Sequence, residues 1–287
     1  MVQRTRLWLG IGLFASAASL PGCGEVVLER NAPAPRLGIA ASGEAGERGG
    51  ERGGERGGER GEAGEGGEAG MASAADLTRD DAAFLSALGM IEGHLLVATE
   101  LYASGDRSAA APHVKHPEDE IYGQLRPALA ARNIRGFESS LTTMAHAAES
   151  GAPPAQIRDA FNRVQGELVR VRGALRASPA VTLAAVSQTV AAAGREYDEG
   201  VQNRRVVNTK EYHDAYGFVR AAKNWVAGLD PAVRARSAGT IGRIEAALNG
   251  LDPAWPSLAA REVPAGFNGG RFSAAASLIA LEAQDLR

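Results

Sequence analysis

The side chains in this sequence best suited to chemistry are five histidines and a set of carboxylates, and no histidine precedes position 94. His94, His113 and His116 come close together in the chain. The segment Ala-Pro-His-Val-Lys-His-Pro-Glu-Asp-Glu-Ile-Tyr that ends at Tyr122 sets two imidazoles three apart, followed by Glu118, Asp119 and Glu120. Imidazole with carboxylate suits iron, zinc, copper or nickel, and a single cysteine, Cys23, rules out a soft thiolate site in the rest of the chain. Two structural explanations compete. Acids in a first helical turn offset the macrodipole, and His116 before Pro117 could belong to a helix cap. His94 follows Gly93 inside an apolar helical pattern, where a histidine either fills the core or lines a cleft. The sharper expectation is that His94, His113, His116 and Glu120 converge on one ion.

A second polar group spans residues 195–200 and 208–218. Glu196 and Glu199 are three apart, as are Glu211 and Asp214, so each pair shares a helix face. Such pairs on facing helices supply oxygen ligands for a hard cation or iron, although a solvated helix face has the same pattern. Glu211, His213 and Asp214 are expected to form a second ligand set or the other half of the first. Neutral imidazoles and ionised carboxylates would bind the ion, so affinity should fall as pH drops through about 6.

Other chemistries lack their residues. The sequence has no Gly-x-Ser-x-Gly elbow, no phosphate-cradling loop with Lys and Ser or Thr, no His-Glu-x-x-His helix and no cysteine in the body. The expectation is a protein that is not an enzyme. The formal net charge is -3, and the part following residue 70 is close to neutral, which argues against a nucleic-acid partner.

The elements that must hold these residues read as helices. Phe84, Leu88, Ile91, Leu95, Ala98 and Tyr102 alternate four and three apart, as a packed helical stripe does. Ile157, Phe161, Val164, Leu168, Val171 and Leu175 repeat the rhythm, and Leu183, Val186, Val190, Ala193 and Tyr197 give a third stripe. Helix starts are marked before Glu118, at Asp230-Pro231 and at Asp252-Pro253. Loops are expected at 105–112, 151–154, 178–179 and 266–270. No sustained period-two alternation occurs. The expected fold class is all-α, about eight helices in one bundle or two packed bundles over residues 71–287, with a possible sub-boundary near 151–154.

Ahead of this body, Arg4 and Arg6 precede an apolar run from Leu7 to Leu20, too short for a span of about 20 residues. The run closes on Leu20-Pro21-Gly22-Cys23, which resembles a bacterial lipoprotein signal. That resemblance implies a signal peptide over 1–22, lipidation of Cys23 and, with Gly24 in place of Asp, an outer-membrane anchor facing the periplasm. Residues 43–70 are almost wholly Gly, Glu, Arg and Ala, with Gly-Gly-Glu-Arg repeated from 49 to 60. Such a segment has nothing to bury, so residues 23–70 are expected to be a lipidated, disordered tether.

Tyr197, Gly200-Val201, Val206-Val207-Asn208, Glu211-Tyr212, Asp214 and Phe218 together resemble the periplasmic helical region of Ftr-type iron permeases. The resemblance covers residues 197–218 and implies that Glu211 and Asp214 are its marked positions. The overall plan is more distantly similar to imelysin and EfeO-like periplasmic proteins, whose Gly-x-His-x-x-Glu motif is absent here: Gly93 adjoins His94 and position 97 is Val. Together these resemblances imply a lipid-anchored accessory protein that binds a transition metal, iron or else copper or zinc, in uptake or homeostasis beside a membrane protein of metal uptake. The alternative is a structural or protein-interaction lipoprotein whose histidines serve packing only.

Overall fold

The computed structural model describes residues 72–286; the signal, Cys23 and tether expectations lie outside the described residues. The order is α1 (Ala74–Arg79), α2 (Asp81–Ser104), α3 (Arg107–His116), a π-helical turn (Pro117–Ile121), α4 (Tyr122–Ala131), α5 (Glu138–Glu149), α6 (Pro154–Leu175), α7 (Pro179–Gly200), α8 (Thr209–Ala227), α9 (Pro231–Arg236), α10 (Ala238–Asn249) and α11 (Gly269–Ala283). Among the described residues the sheet content is one hairpin, β1 (Val201–Gln202) paired antiparallel with β2 (Arg205–Val206). The fold is all-α, as the three stripes require. Short helices such as α1 and α9 raise the number above the expected eight, because Ser73 and Asp230 each cap a single extra turn or two.

The core is built on α2. Asp80 Oδ1 accepts from the backbone N–H of Ala82 at 2.7 Å and Ala83 at 3.2 Å, which starts the helix. Gly105, in the left-handed region at φ 93, ends it. By length and composition α2 is apolar enough to cross a membrane, but 89% of its apolar window is buried in the protein. Phe84, Leu88, Ile91 and Leu95 have no exposed surface. Each such side chain contributes roughly 1.5–3 kcal/mol of apolar burial. Helices α3, α6, α7 and α8 all pack on α2, and α7 also packs against α8 and α11.

Two glycines set how closely α2 and α8 approach. A Cβ on Gly93 would lie 2.8 Å from the carbonyl carbon of Gly217, and a Cβ on Gly217 would collide with the Gly93 carbonyl. The two backbones therefore touch, and the residues flanking the glycines face each other across the contact. His94 stands beside one of them, and Asp214 and Phe218 flank the other.

The segment expected as the loop 105–112 leading to a helix start at Pro117 is helical instead. Asp106 caps α3 by accepting from Ala109 N at 3.1 Å. The alanines at 109, 110 and 111 favour helix strongly enough to carry Pro112 inside it. Helix α3 then runs through the π turn directly into α4. His113 and His116 therefore lie on one helix rather than on a loop. Asp252-Pro253 opens only a 3₁₀ turn, Asp252–Ala254. Residues 178–179 are the N-cap and first residue of α7 rather than a free loop.

Candidate metal centre

Three helices deliver the site. α2 presents His94, α3 presents His113 and α8 presents Asp214; all three are buried, with exposures of 0%, 0% and 1%. Asp214 Oδ1 lies 2.6 Å from His94 Nδ1 and 2.7 Å from His113 Nδ1. One carboxylate oxygen is thus shared by two imidazoles that are 120 and 101 residues away in sequence. The edge of Phe218 packs against the His94 ring, with centroids 4.9 Å apart, and closes one side of the site.

A contact behind His113 bears on where its ring proton sits. His213 Nε2 lies 2.9 Å from the carbonyl oxygen of Leu258, which can only accept, so His213 carries its proton on Nε2. Its Nδ1 then offers a lone pair toward His113 Nε2, 3.4 Å away. His113 is left with Nδ1 directed at Asp214. A lone pair on that nitrogen and the carboxylate are both acceptors. At 2.7 Å they repel unless a positive centre, a proton or a metal ion, lies between them. A metal-ligating histidine that donates its other N–H to an outer partner is the usual arrangement at such centres.

The electrostatics follow from the same contacts. Burial would push the Asp214 carboxyl up, but the charges of His94 and His113 and their hydrogen bonds override it and hold the group well below the usual carboxylate range. Burial holds the His213 imidazole down, against the opposing effect of the Leu258 carbonyl. The donor set is two imidazole nitrogens and one carboxylate oxygen, which fits a divalent first-row metal and resembles the facial triad that holds non-haem iron(II). Ligand atoms about 2.1 Å from a metal at right angles stand roughly 3 Å apart. The hydrogen-bonded spacing therefore needs to open by only a few tenths of an ångström.

His116 and Glu120 lie one layer out. The His116 ring stacks on His94 with centroids 4.9 Å apart, and its Nε2 lies 3.3 Å from Glu120 Oε2. The π turn Pro117–Ile121 follows His116 directly and carries Glu120, and such π insertions recur at functional sites. Glu120 is partly exposed, with 31% of its side chain reaching solvent. Its neighbour Glu118 accepts from Thr142 Oγ1 and plays no part.

Glu211 goes elsewhere. Its carboxylate gathers with those of Glu196 and Glu199 on α7, all three ligand atoms lying within 4.8 Å of one another. Burial first, and then the nearby Asp214 charge, push the Glu211 carboxyl up, opposed by Lys210. Of the expected ligands, the structure thus brings His94, His113 and Asp214 into direct contact, adds His213 behind His113, places His116 and Glu120 beside them, and leaves Glu211 in a separate acidic group. Sequence reasoning missed three contributors: the Gly217 contact, the Phe218 edge and the Leu258 carbonyl. Gly217, a glycine inside a helical pattern as Gly93 is, was the one legible signal.

No curated protein and no solved structure matched the chain. Residues 172–266, about a third of the chain, do match a family described as the iron permease-associated 4-helix bundle domain. The matched stretch runs from the last turn of α6 past α10. It therefore contains His213, Asp214 and all three glutamates of the acidic group, while His94, His113, His116 and Glu120 lie before it. In this stretch the chain resembles the periplasmic helical region of Ftr-type iron permeases.

Proposed function

We propose that this protein binds a transition metal ion, most simply iron(II), between His94 Nδ1, His113 Nδ1 and Asp214 Oδ1, and that it serves iron uptake as an accessory component. The observation that carries this reading is the pair of imidazole nitrogens held against one buried carboxylate oxygen, a donor set suited to a divalent first-row metal. The family match of residues 172–266 supports the context of iron uptake. His213 orients His113, and His116 with Glu120 offers a polar way from solvent to the triad. The complete burial of the three ligand atoms favours holding an ion over turning over a substrate. A lipid anchor at Cys23, on the periplasmic face of the outer membrane, would keep the body near a metal-uptake membrane protein.

Thermal unfolding with Fe(II), Zn(II) and Cu(II), each at a hundred times its Kd, tests the reading: a ligand bound only by the folded form adds about 2.7 kcal/mol. The expected outcome is that increment for the wild type and its loss in the His94→Ala/His113→Ala variant. Equal melting of both proteins with and without metal favours an interaction protein whose histidines only pack.

A further inference from the structure

A cavity of about 370 Å³ lies at the C-terminal end of α8, lined among others by Leu85, Val169, Arg172, Asn224, Trp225 and Leu229. The Arg172 guanidinium sits over the Trp225 ring, 4.4 Å from its centroid. The indole N–H is already committed to Glu92 Oε2 at 2.6 Å, so Trp225 is locked and offers a fixed face. Stacking uses the flat side of the guanidinium and leaves its donor edge available. Among the described residues, Arg172 makes neither a hydrogen bond nor an ion pair. Burial lowers the Arg172 pKa, with Glu92 the one opposing charge. The other charges at the cavity are Arg176, which ends α6 in the left-handed region at φ 51, and Asp230. Asp230 is engaged by Ala232 N and Val233 N at the start of α9. A second apolar feature adds to the picture: Val169 at the rim is 56% exposed, one of the few large hydrophobic side chains left open to solvent.

A positive fork with free donors beside aliphatic walls selects its ligand chemically. We propose that this cavity binds a small organic acid, its carboxylate paired bidentately with Arg172 and its apolar body against Leu85, Val169 and Leu229. A charge-assisted, two-point contact of this kind is about twice as strong as a neutral one and demands a planar anion. Asn224 stands on the same wall as a further polar neighbour. The site is independent of the metal centre, sharing none of its side chains.

Calorimetric titration of the full chain with benzoate, benzamide and acetate tests this, alongside the indole N–H resonance of Trp225. Benzoate should bind saturably and shift that resonance. Benzamide, which lacks the charge, and acetate, which lacks the body, should each bind at least tenfold more weakly. Arg172→Gln should abolish the benzoate response. Gly173→Leu should abolish it as well: Gly173 lines the cavity and a Cβ there meets nothing within 4 Å, so a side chain can be added at the cavity wall without a Cβ clash, and this variant remains decisive if Arg172→Gln folds poorly. No saturable benzoate binding, benzamide binding as tightly as benzoate, acetate doing the same, or retention of binding in either variant overturns the proposal.

Discussion

Asp214 and Glu211 are one helical turn apart on α8, yet their surroundings differ in nearly every respect. Asp214 is 1% exposed and meets two imidazole nitrogens. Glu211 is half-buried, meets two more carboxylates, and has Lys210 Nζ at 3.6 Å. The difference lies in the neighbouring helix: α2 and α3 bring nitrogen donors to one carboxylate, while α7 brings only oxygen to the other. Burial and mixed donors are what a selective site for a first-row metal requires. A wetter, all-oxygen group instead relieves its repulsion by raising a pKa and recruiting a lysine. Being acidic and clustered is therefore a weaker signal than being buried and paired with imidazole.

The contrast can be broken as a whole at the helix crossing. Gly217→Ala should improve helix propensity by about 1 kcal/mol, but its Cβ has to displace the Gly93 backbone, at a cost of about 3 kcal/mol. Chemical denaturation should therefore show a net loss near 2 kcal/mol, and the metal-dependent increment should vanish with it. Removing the anion instead of the contact gives Asp214→Asn. Breaking a buried pair costs about 3 kcal/mol, and metal affinity should drop more than about a hundredfold, beyond the loss usual for an outer-shell partner. Undiminished affinity in that variant would move the site elsewhere.

Acidity should separate the two groups more gently. Asp214 has a folded pKa depressed below its unfolded value of about 3.9, so its stabilisation is present above that value and is lost as pH falls below it. His213 also has a depressed folded pKa. The unfolded chain therefore binds its proton first, and stability contributed by neutral His213 should decline as pH falls below about 6.5. Denaturation midpoints recorded from pH 8 to 3 should show both declines, and His213→Gln should remove the upper one. The smallest effect is expected at the acidic group. Glu211→Gln removes a carboxylate whose charge burial disfavours, so stability should stay within about 0.5 kcal/mol or rise slightly, and metal affinity should change less than about twofold, as titration of that variant would show.

How much of this was readable in the sequence depended on range. The α2, α6 and α7 stripes are local patterns, and each became the helix its spacing required. Helix α3 was not legible because Gly105 and Pro112 read as breakers, whereas the Asp106 cap and three alanines outweigh them. The residue types of the site were visible, as was the idea that carboxylates near 214 could complete a set begun by the early histidines. Which carboxylate would do so was not, because Glu211 and Asp214 have similar chemistry and only the rotation of α8 against α2 separates them. That rotation is set by two glycines whose usual reading within a helix is a loss of propensity rather than a contact.

The most direct test is an anaerobic titration of the purified protein with Fe(II), read by calorimetry against the Asp214→Asn and Glu211→Gln variants. The account predicts one equivalent bound by the wild type and by Glu211→Gln, and none at comparable concentration by Asp214→Asn. Binding that survives Asp214→Asn but is lost in Glu211→Gln would contradict it and assign the ion to the acidic group instead.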